Sequence, residues 1–232
     1  MSDRLEHVTA AILAGGQGTR LRTVVADRQK VVAPVAGRPF LYRLLDQLAD
    51  AGVRQIVVCT GYQARQVADT LGQTYRDMEL RYSAENEPLG TAGAIRLALP
   101  LFGSYPILAL NGDSFCETDL PALIAAHQTP ATIVVREVAD TTQSGRVDFD
   151  ATGAVTSFIE KGQATGSGWL SAGIYLLNRE VLASIPAGRA VSIERETFPD
   201  WVGRGLCVFR TGGRFLDIGT PAMYANAQRF FK

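Results

Sequence analysis

Leu13-Ala14-Gly15-Gly16-Gln17-Gly18-Thr19-Arg20-Leu21-Arg22, with Lys30 a short way on, is the stretch that decides how this chain folds. It follows Val8–Leu13, an apolar run that reads as a buried first strand. Three glycines let several backbone N–H groups converge on one anion, because no Cβ intervenes. Arg20 and Lys30 supply cations to such a nest. The chemistry suggested is the binding of a nucleoside triphosphate at its phosphates. Neither common phosphate motif is present. A dinucleotide fingerprint needs a third glycine where Leu21 stands, and a P-loop needs Gly-Lys-Ser/Thr after a four-residue gap. A plain glycine-rich turn is the alternative, but such turns carry one or two glycines without flanking cations.

Outward from that loop, short β-rich runs alternate with segments of helical period. Val8–Leu13, Gln55–Thr60, Leu80–Ser83 and Ile107–Leu110 read as strands; Phe40–Ala51, Tyr62–Leu71 and Thr91–Leu99 carry apolar residues at helical spacing. Such alternation predicts parallel strands with helices on both faces, and ligands beyond the strands' carboxyl ends. Gly15–Arg20 and Asn111–Asp113 both belong there. From about residue 131 the chain is mainly strand-like, in Thr132–Val138, Gly145–Phe149, Val155–Glu160, Trp169–Leu177 and Cys207–Thr211; a helix is expected over Pro221–Phe231. No linker or repeat separates the halves, so one domain over 1–232 is expected, with a nucleotide-binding part to about 130.

Composition excludes several classes of partner. Basic and acidic residues balance at 23 each, which argues against nucleic acid or an anionic membrane as the main partner. Cys59, Cys116 and Cys207 lack metal-type spacing and read as buried free thiols. Met1–Glu6 is short and charged, with no apolar leader core, and no run is long enough to span a bilayer, so a cytoplasmic protein is expected.

Two acids stand out. Asp113 follows the strand Ile107–Leu110 across Asn111-Gly112, a position suited to Mg²⁺, which takes one or two carboxylates and completes its shell with water and phosphate. The same Asn-Gly-Asp run also suits a simple turn. Asp217 lies between apolar neighbours in Phe215-Leu216-Asp217-Ile218, where burial needs a cationic partner. The capping role nearby fits Thr220 with Pro221 better. Glu160-Lys161, read alone, is a solvated strand end. His7 and His127 read as structural.

With Pro34-Val35, Gly37-Arg38-Pro39-Phe40-Leu41, Glu85-Asn86-Glu87-Pro88-Leu89-Gly90-Thr91-Ala92-Gly93-Ala94, Leu110-Asn111-Gly112-Asp113-Ser114-Phe115, Phe158-Ile159-Glu160-Lys161, Ser171-Ala172-Gly173-Ile174-Tyr175 and Asp217-Ile218-Gly219-Thr220-Pro221, the glycine loop resembles the sugar-1-phosphate nucleotidyltransferases over nearly the whole chain. Within that group it is most similar to the D-glycero-α-D-manno-heptose 1-phosphate guanylyltransferases. The resemblance implies an α/β fold: a doubly wound, mixed, mostly parallel Rossmann-like sheet with a β-rich acceptor-binding portion. It implies an NTP, GTP for preference, and a sugar 1-phosphate as substrates, Mg²⁺ as cofactor, and a possible homodimer. Arg20, Lys30 and Asp113 become catalytic candidates, with Asp113 and Asp217 as metal ligands. Leu13, Ala14, Gly15, Gly16, Gly18, Thr19, Arg20, Lys30, Glu85, Gly90 and Thr91 become the nucleotide site, Glu85 and Gly90 reading the base. Asn111, Glu160, Lys161 and Gly173 become the acceptor site, Lys161 meeting the 1-phosphate.

The chain departs from the family pattern twice. Ser171 stands where many relatives carry Asn. Gln29 stands where proline usually precedes the signature lysine, and the missing ring predicts a looser Lys30. A mannose-1-phosphate guanylyltransferase, a uridylyltransferase and a non-catalytic nucleotide-sugar sensor remain as alternatives.

Overall fold

A computed structural model describes residues 5–142, 145–159, 163 and 165–231. β1 (Thr9–Ala14) leads through the glycine loop into a 3-10 turn, Lys30–Val32, and a small hairpin of β2 (Pro34–Val35) and β3 (Arg38–Pro39). Then α1 (Leu41–Asp50), β4 (Gln55–Thr60), α2 (Ala64–Leu71), β5 (Thr74–Tyr75), β6 (Met78–Ala84), α3 (Gly90–Ala98) and β7 (Ile107–Asn111) follow. The strand-and-helix alternation expected for this half is present. The helix expected from Tyr62 starts at Ala64, because Gln63 adopts a left-handed conformation (φ 53°).

The second half holds β8 (Ser114–Cys116), α4 (Leu120–Ala126), β9 (Ala131–Val138), β10 (Arg146–Phe149), β11 (Val155–Ile159) and β12 (Gly168–Leu177). After them come α5 (Arg179–Ser184), a π-helical turn Ile193–Thr197 running into α6 (Phe198–Trp201), β13 (Leu206–Thr211), β14 (Phe215–Asp217) and α7 (Pro221–Phe230). It is more helical than the mainly strand-like reading. The helices missed are short, four to seven residues each, too short for a hydrophobic period to register. One had a readable start: Asp119 caps α4 by accepting the Ala122 N–H at 2.9 Å, with Pro121 in the first turn.

Among the described residues, ten strands from both halves form one sheet in the order β11-β10-β12-β7-β1-β4-β6-β5, with β9 beside β12 and β13 beside β9. The core β7-β1-β4-β6 is parallel; β12 joins it antiparallel through β7. Alternation along β1 divides the apolar interior in two. Ala10 and Ile12 face the layer holding α1, α2, α4 and α7, while Ala11 faces that of α3, α5 and α6. Helix α1 buries Leu41, Leu44, Leu45 and Leu48, a stripe at i, i+3, i+4 and i+7; each contributes about 1.5–3 kcal/mol. Both faces of the sheet are thereby covered, and its carboxyl edge is left for ligands. Cys59 and Cys116 are buried free thiols as expected, but Cys207 is only half-buried. No helix among the described residues is long and apolar enough to cross a membrane.

Candidate active site

β1 and β7 run parallel with Leu13 opposite Asn111, so the loops that follow them leave the sheet side by side. Gly112 donates its N–H to the Leu13 carbonyl at 2.8 Å and ties the two loops together. Beside them opens a cavity of about 300 Å³, walled by Leu13, Gly15, Gly16, Lys30, Glu85, Gly90 and Thr91. Most of the expected nucleotide-side residues are therefore assembled. Four stand off that wall. Ala14 points into the core, Gly18 turns the loop at φ +59° against the Lys30 side chain, and Thr19 is exposed. Arg20 borders a different cavity, described below.

Lys30 donates from Nζ to Asp113 Oδ2, and its side chain is only 11% exposed. In place of a loose Lys30 the structure has a packed, ion-paired one. Gln29 is 1% exposed, and its amide bonds to the loop on one side and to the Lys30 turn on the other. Hydrogen bonds replace the stiffness of the missing proline ring.

Glu85, at the end of β6, lies against the loop: a Cβ on Gly15 or Gly61 would come within 2.8 or 2.5 Å of its Oε1. Its Oε2 accepts the Leu89 N–H at 3.0 Å. Burial raises the carboxyl's pKa, opposed by that hydrogen bond. The carboxylate retains acceptor capacity beyond that bond, and Glu85 lines the cavity. Gly90 opens α3 at φ +70°, where a Cβ would lie 2.6 Å from the Val191 carbonyl oxygen. Thr91 turns its hydroxyl away to accept the Ile193 N–H at 2.8 Å.

A second cavity, of about 580 Å³, lies on the other side of Asn111 and Asp113, which line both. Arg20, Gly173, Glu194 and Asp217 line this one. The pairing of β14 with β8 sets Asp217 opposite Ser114, and Ile218 donates to the Asp113 carbonyl at 3.0 Å. Two carboxylates far apart in sequence thus become neighbours. Burial raises the pKa of Asp217, and the charge of Asp113 adds to it; the Gly219 N–H that it accepts, then Lys30 and Arg20, pull it back. A pair of hard oxygen donors that repel one another suits a magnesium-type cation.

Beneath this cavity lies a polar network that sequence reading missed. Tyr175, fully buried, donates from its hydroxyl to Glu194 Oε1 at 2.9 Å, while Asn111 Nδ2 and Ser171 Oγ each approach that hydroxyl at 3.4 Å. Asn111 Oδ1 is buried with no partner among the described residues, an acceptor left for a ligand. The one legible sign of Glu194 was a cap: Ser192 Oγ accepts the Arg195 N–H, and Glu196 accepts the Ser192 N–H. β11 ends at Ile159 on the cavity wall; Glu160 and Lys161 lie outside the described residues.

Gly173 bulges β12 at φ +72°, and a Cβ there would sit 2.7 Å from Ser114 Oγ and 2.8 Å from Asn111 Nδ2. Gly173→Ala is expected to cost about 1–3 kcal/mol in backbone strain alone. For a chain of this size each kcal/mol is about 2–4 °C of melting temperature. An unchanged thermal melt would show that the bulge tolerates a side chain.

The sequence profile described as Nucleotidyl transferase matches residues 9–232. The D-glycero-alpha-D-manno-heptose 1-phosphate guanylyltransferase of Aneurinibacillus thermoaerophilus is 30% identical over 224 residues, spanning 95% of this chain and 96% of that protein. The mannose-1-phosphate guanylyltransferase catalytic subunit beta of Drosophila melanogaster is 37% identical over 220 residues, 91% of this chain. The match spans only 59% of that relative's own length. The crystal structure of HddC from Yersinia pseudotuberculosis complexed with GMP-PN is 34% identical with a TM-score of 0.86, covering 97% of this chain and 100% of that one.

Proposed function

Since the chain belongs to the nucleotidyl transferase family, we propose that it transfers a nucleotidyl group from an NTP, GTP for preference, to a sugar 1-phosphate. The observation that carries this reading is the meeting of two cavities at Asn111 and Asp113. One is rimmed by a glycine loop and a lysine, as a triphosphate requires. The other sets Arg20, Asn111, Ser171 and Glu194 among apolar walls, charged and hydrogen-bonding groups that suit a sugar phosphate. Guanine is supported by the guanylyltransferase relatives and by the neighbour bound to GMP-PN. D-glycero-α-D-manno-heptose 1-phosphate is the acceptor proposed, with mannose 1-phosphate as the second reading, supported by the relatives at 37% identity.

In the proposed reaction an oxygen of the sugar phosphate attacks the α-phosphorus in line. The bond to pyrophosphate breaks and an NDP-sugar forms. The nucleophile is already ionised, so no side chain need remove a proton. The protein's work is to hold two polyanions together and offset their charge. The glycine-loop N–H groups and Lys30 hold the triphosphate. Lys161 would meet the acceptor phosphate, with Arg20 on the same side. Asn111 Oδ1 and Glu160 would accept sugar hydroxyls. Asp113 and Asp217 would hold Mg²⁺, which when bound offsets phosphate charge and polarises a phosphoryl oxygen.

Pyrophosphate release across GTP, ATP, UTP and CTP, each with heptose, mannose and glucose 1-phosphates, tests the reading. Activity with no pair would leave the sensor alternative. The base assignment has its own test. Guanine N1–H and its N2 amino group are adjacent donors that the Glu85 carboxylate can accept together. Glu85→Gln sets a donor against a donor and is expected to cost GTP about 1–3 kcal/mol of transition-state binding. ITP, lacking the amino group, should already be poorer with the unmodified protein and less affected by the change. Equal efficiencies for GTP and ITP would remove Glu85 as the reader.

A further inference from the structure

We propose that the Gln29 carboxamide is the positioning residue of the phosphate loop, aiming its backbone donors and holding the Lys30 turn in the same grip. The inference rests on the nucleotide reading of the first cavity. Gln29 Nε2 donates to the Ala14 carbonyl at 2.8 Å and to the Gly16 carbonyl at 3.0 Å. In a trans peptide unit the N–H points opposite to the C=O. Pinning those two carbonyls therefore turns the N–H groups of Gly15 and Gln17 away from Gln29. Gly15, Gly16 and Gln17 all line the first cavity, and Gly16 has nothing within 4 Å of its Cβ position. A glycine loop has little conformational preference of its own; here a buried side chain supplies it.

The same amide reaches the cation. Its Oε1 accepts the Val31 N–H at 2.5 Å and so caps the turn that begins at Lys30, whose ammonium meets Asp113. The backbone N–H of Gln29 donates to Gln66 Oε1 on α2 at 2.6 Å, and Gln66 Nε2 donates to the Asp27 carbonyl at 3.1 Å. Every donor of Gln29 is used, and one residue couples the direction of the phosphate-facing N–H groups to the placement of the lysine. The backbone at Gln29 (φ −65°, ψ 135°) is one proline could adopt. Proline there would keep the chain path and delete all four bonds. This chain thus orients its loop by hydrogen bonding where a ring could only stiffen it.

Gln29→Glu keeps the side-chain shape and acceptor but turns a double donor into an oxygen facing two carbonyls. Gln29→Met keeps the length with neither donor nor acceptor. Both should raise the KM for NTP by roughly 10- to 100-fold, the scale of a misplacement near 1 Å. The KM for the sugar phosphate should stay within about twofold, since loop donors serve only the triphosphate. Gln66→Ala leaves the amide in place and should change either constant by less than about threefold. Thermal melts establish that each variant is folded, and amide hydrogen exchange is followed over 14–18 and 29–33. Faster exchange in both segments of the Gln29 variants, but not of Gln66→Ala, is expected. A folded Gln29→Glu or Gln29→Met with unchanged exchange, or with both Michaelis constants raised equally, overturns the proposal. If the unmodified protein releases pyrophosphate from no substrate pair, the functional reading fails separately, and the exchange comparison still decides whether Gln29 holds the loop.

Discussion

Asp113→Asn is expected to fold normally and to turn over roughly 10³-fold more slowly with Mg²⁺ present, a loss of about 4 kcal/mol at about 1.4 kcal/mol per decade. The substitution keeps shape and removes charge at the point where the two cavities meet. It leaves the Lys30 ammonium without its carboxylate and halves the acidic pair. Loss of the Lys30 ion pair costs stability, but Asp217 still acts on the Lys30 charge and is freed of the like charge that helps raise its pKa, so the native state is expected to survive. Less repulsion then has to be contained in the native state. Melting curves with and without Mg²⁺, alongside single-turnover pyrophosphate release, separate the two effects. A folded variant with near-normal turnover would remove Asp113 from the reaction.

Lys30→Ala should be nearly as damaging, and in a direction that distinguishes it from Lys161→Ala. Lys30 is held by Asp113 at the wall of the glycine-loop cavity, on a turn fixed by Gln29. Removing a preorganised charge-assisted donor to the triphosphate should lower kcat/KM for NTP by roughly 10²–10³-fold. The KM for the sugar phosphate should scarcely move. Lys161→Ala should instead act chiefly on that second constant. The measurement is a two-substrate grid for each variant. If both changes affect both substrates alike, the proposed division of labour is wrong.

Much of the architecture was readable from local patterns. The apolar runs into Gly15 and through Ile107–Leu110 are short and continuous, as strands covered on both faces are, and the stripe Leu41-Leu44-Leu45-Leu48 carries the helical period, so strands, helices and a ligand edge follow from short windows. The glycine loop with Lys30 suggested phosphate binding for the same reason: the pattern is held within a few neighbouring residues. Other features have no local signal. That Asp217 stands by Asp113 depends on β14 pairing with β8, a contact between distant segments that no period encodes. That Arg20 turns from the glycine-loop cavity to the second one is a matter of how a loop packs. Tyr175 under Glu194 reads in sequence as an ordinary strand aromatic, and Gln29 reads as a lost proline. Their roles arise from what burial demands: a polar group sealed from water must find partners, and which partners are in reach is set by the packed chain.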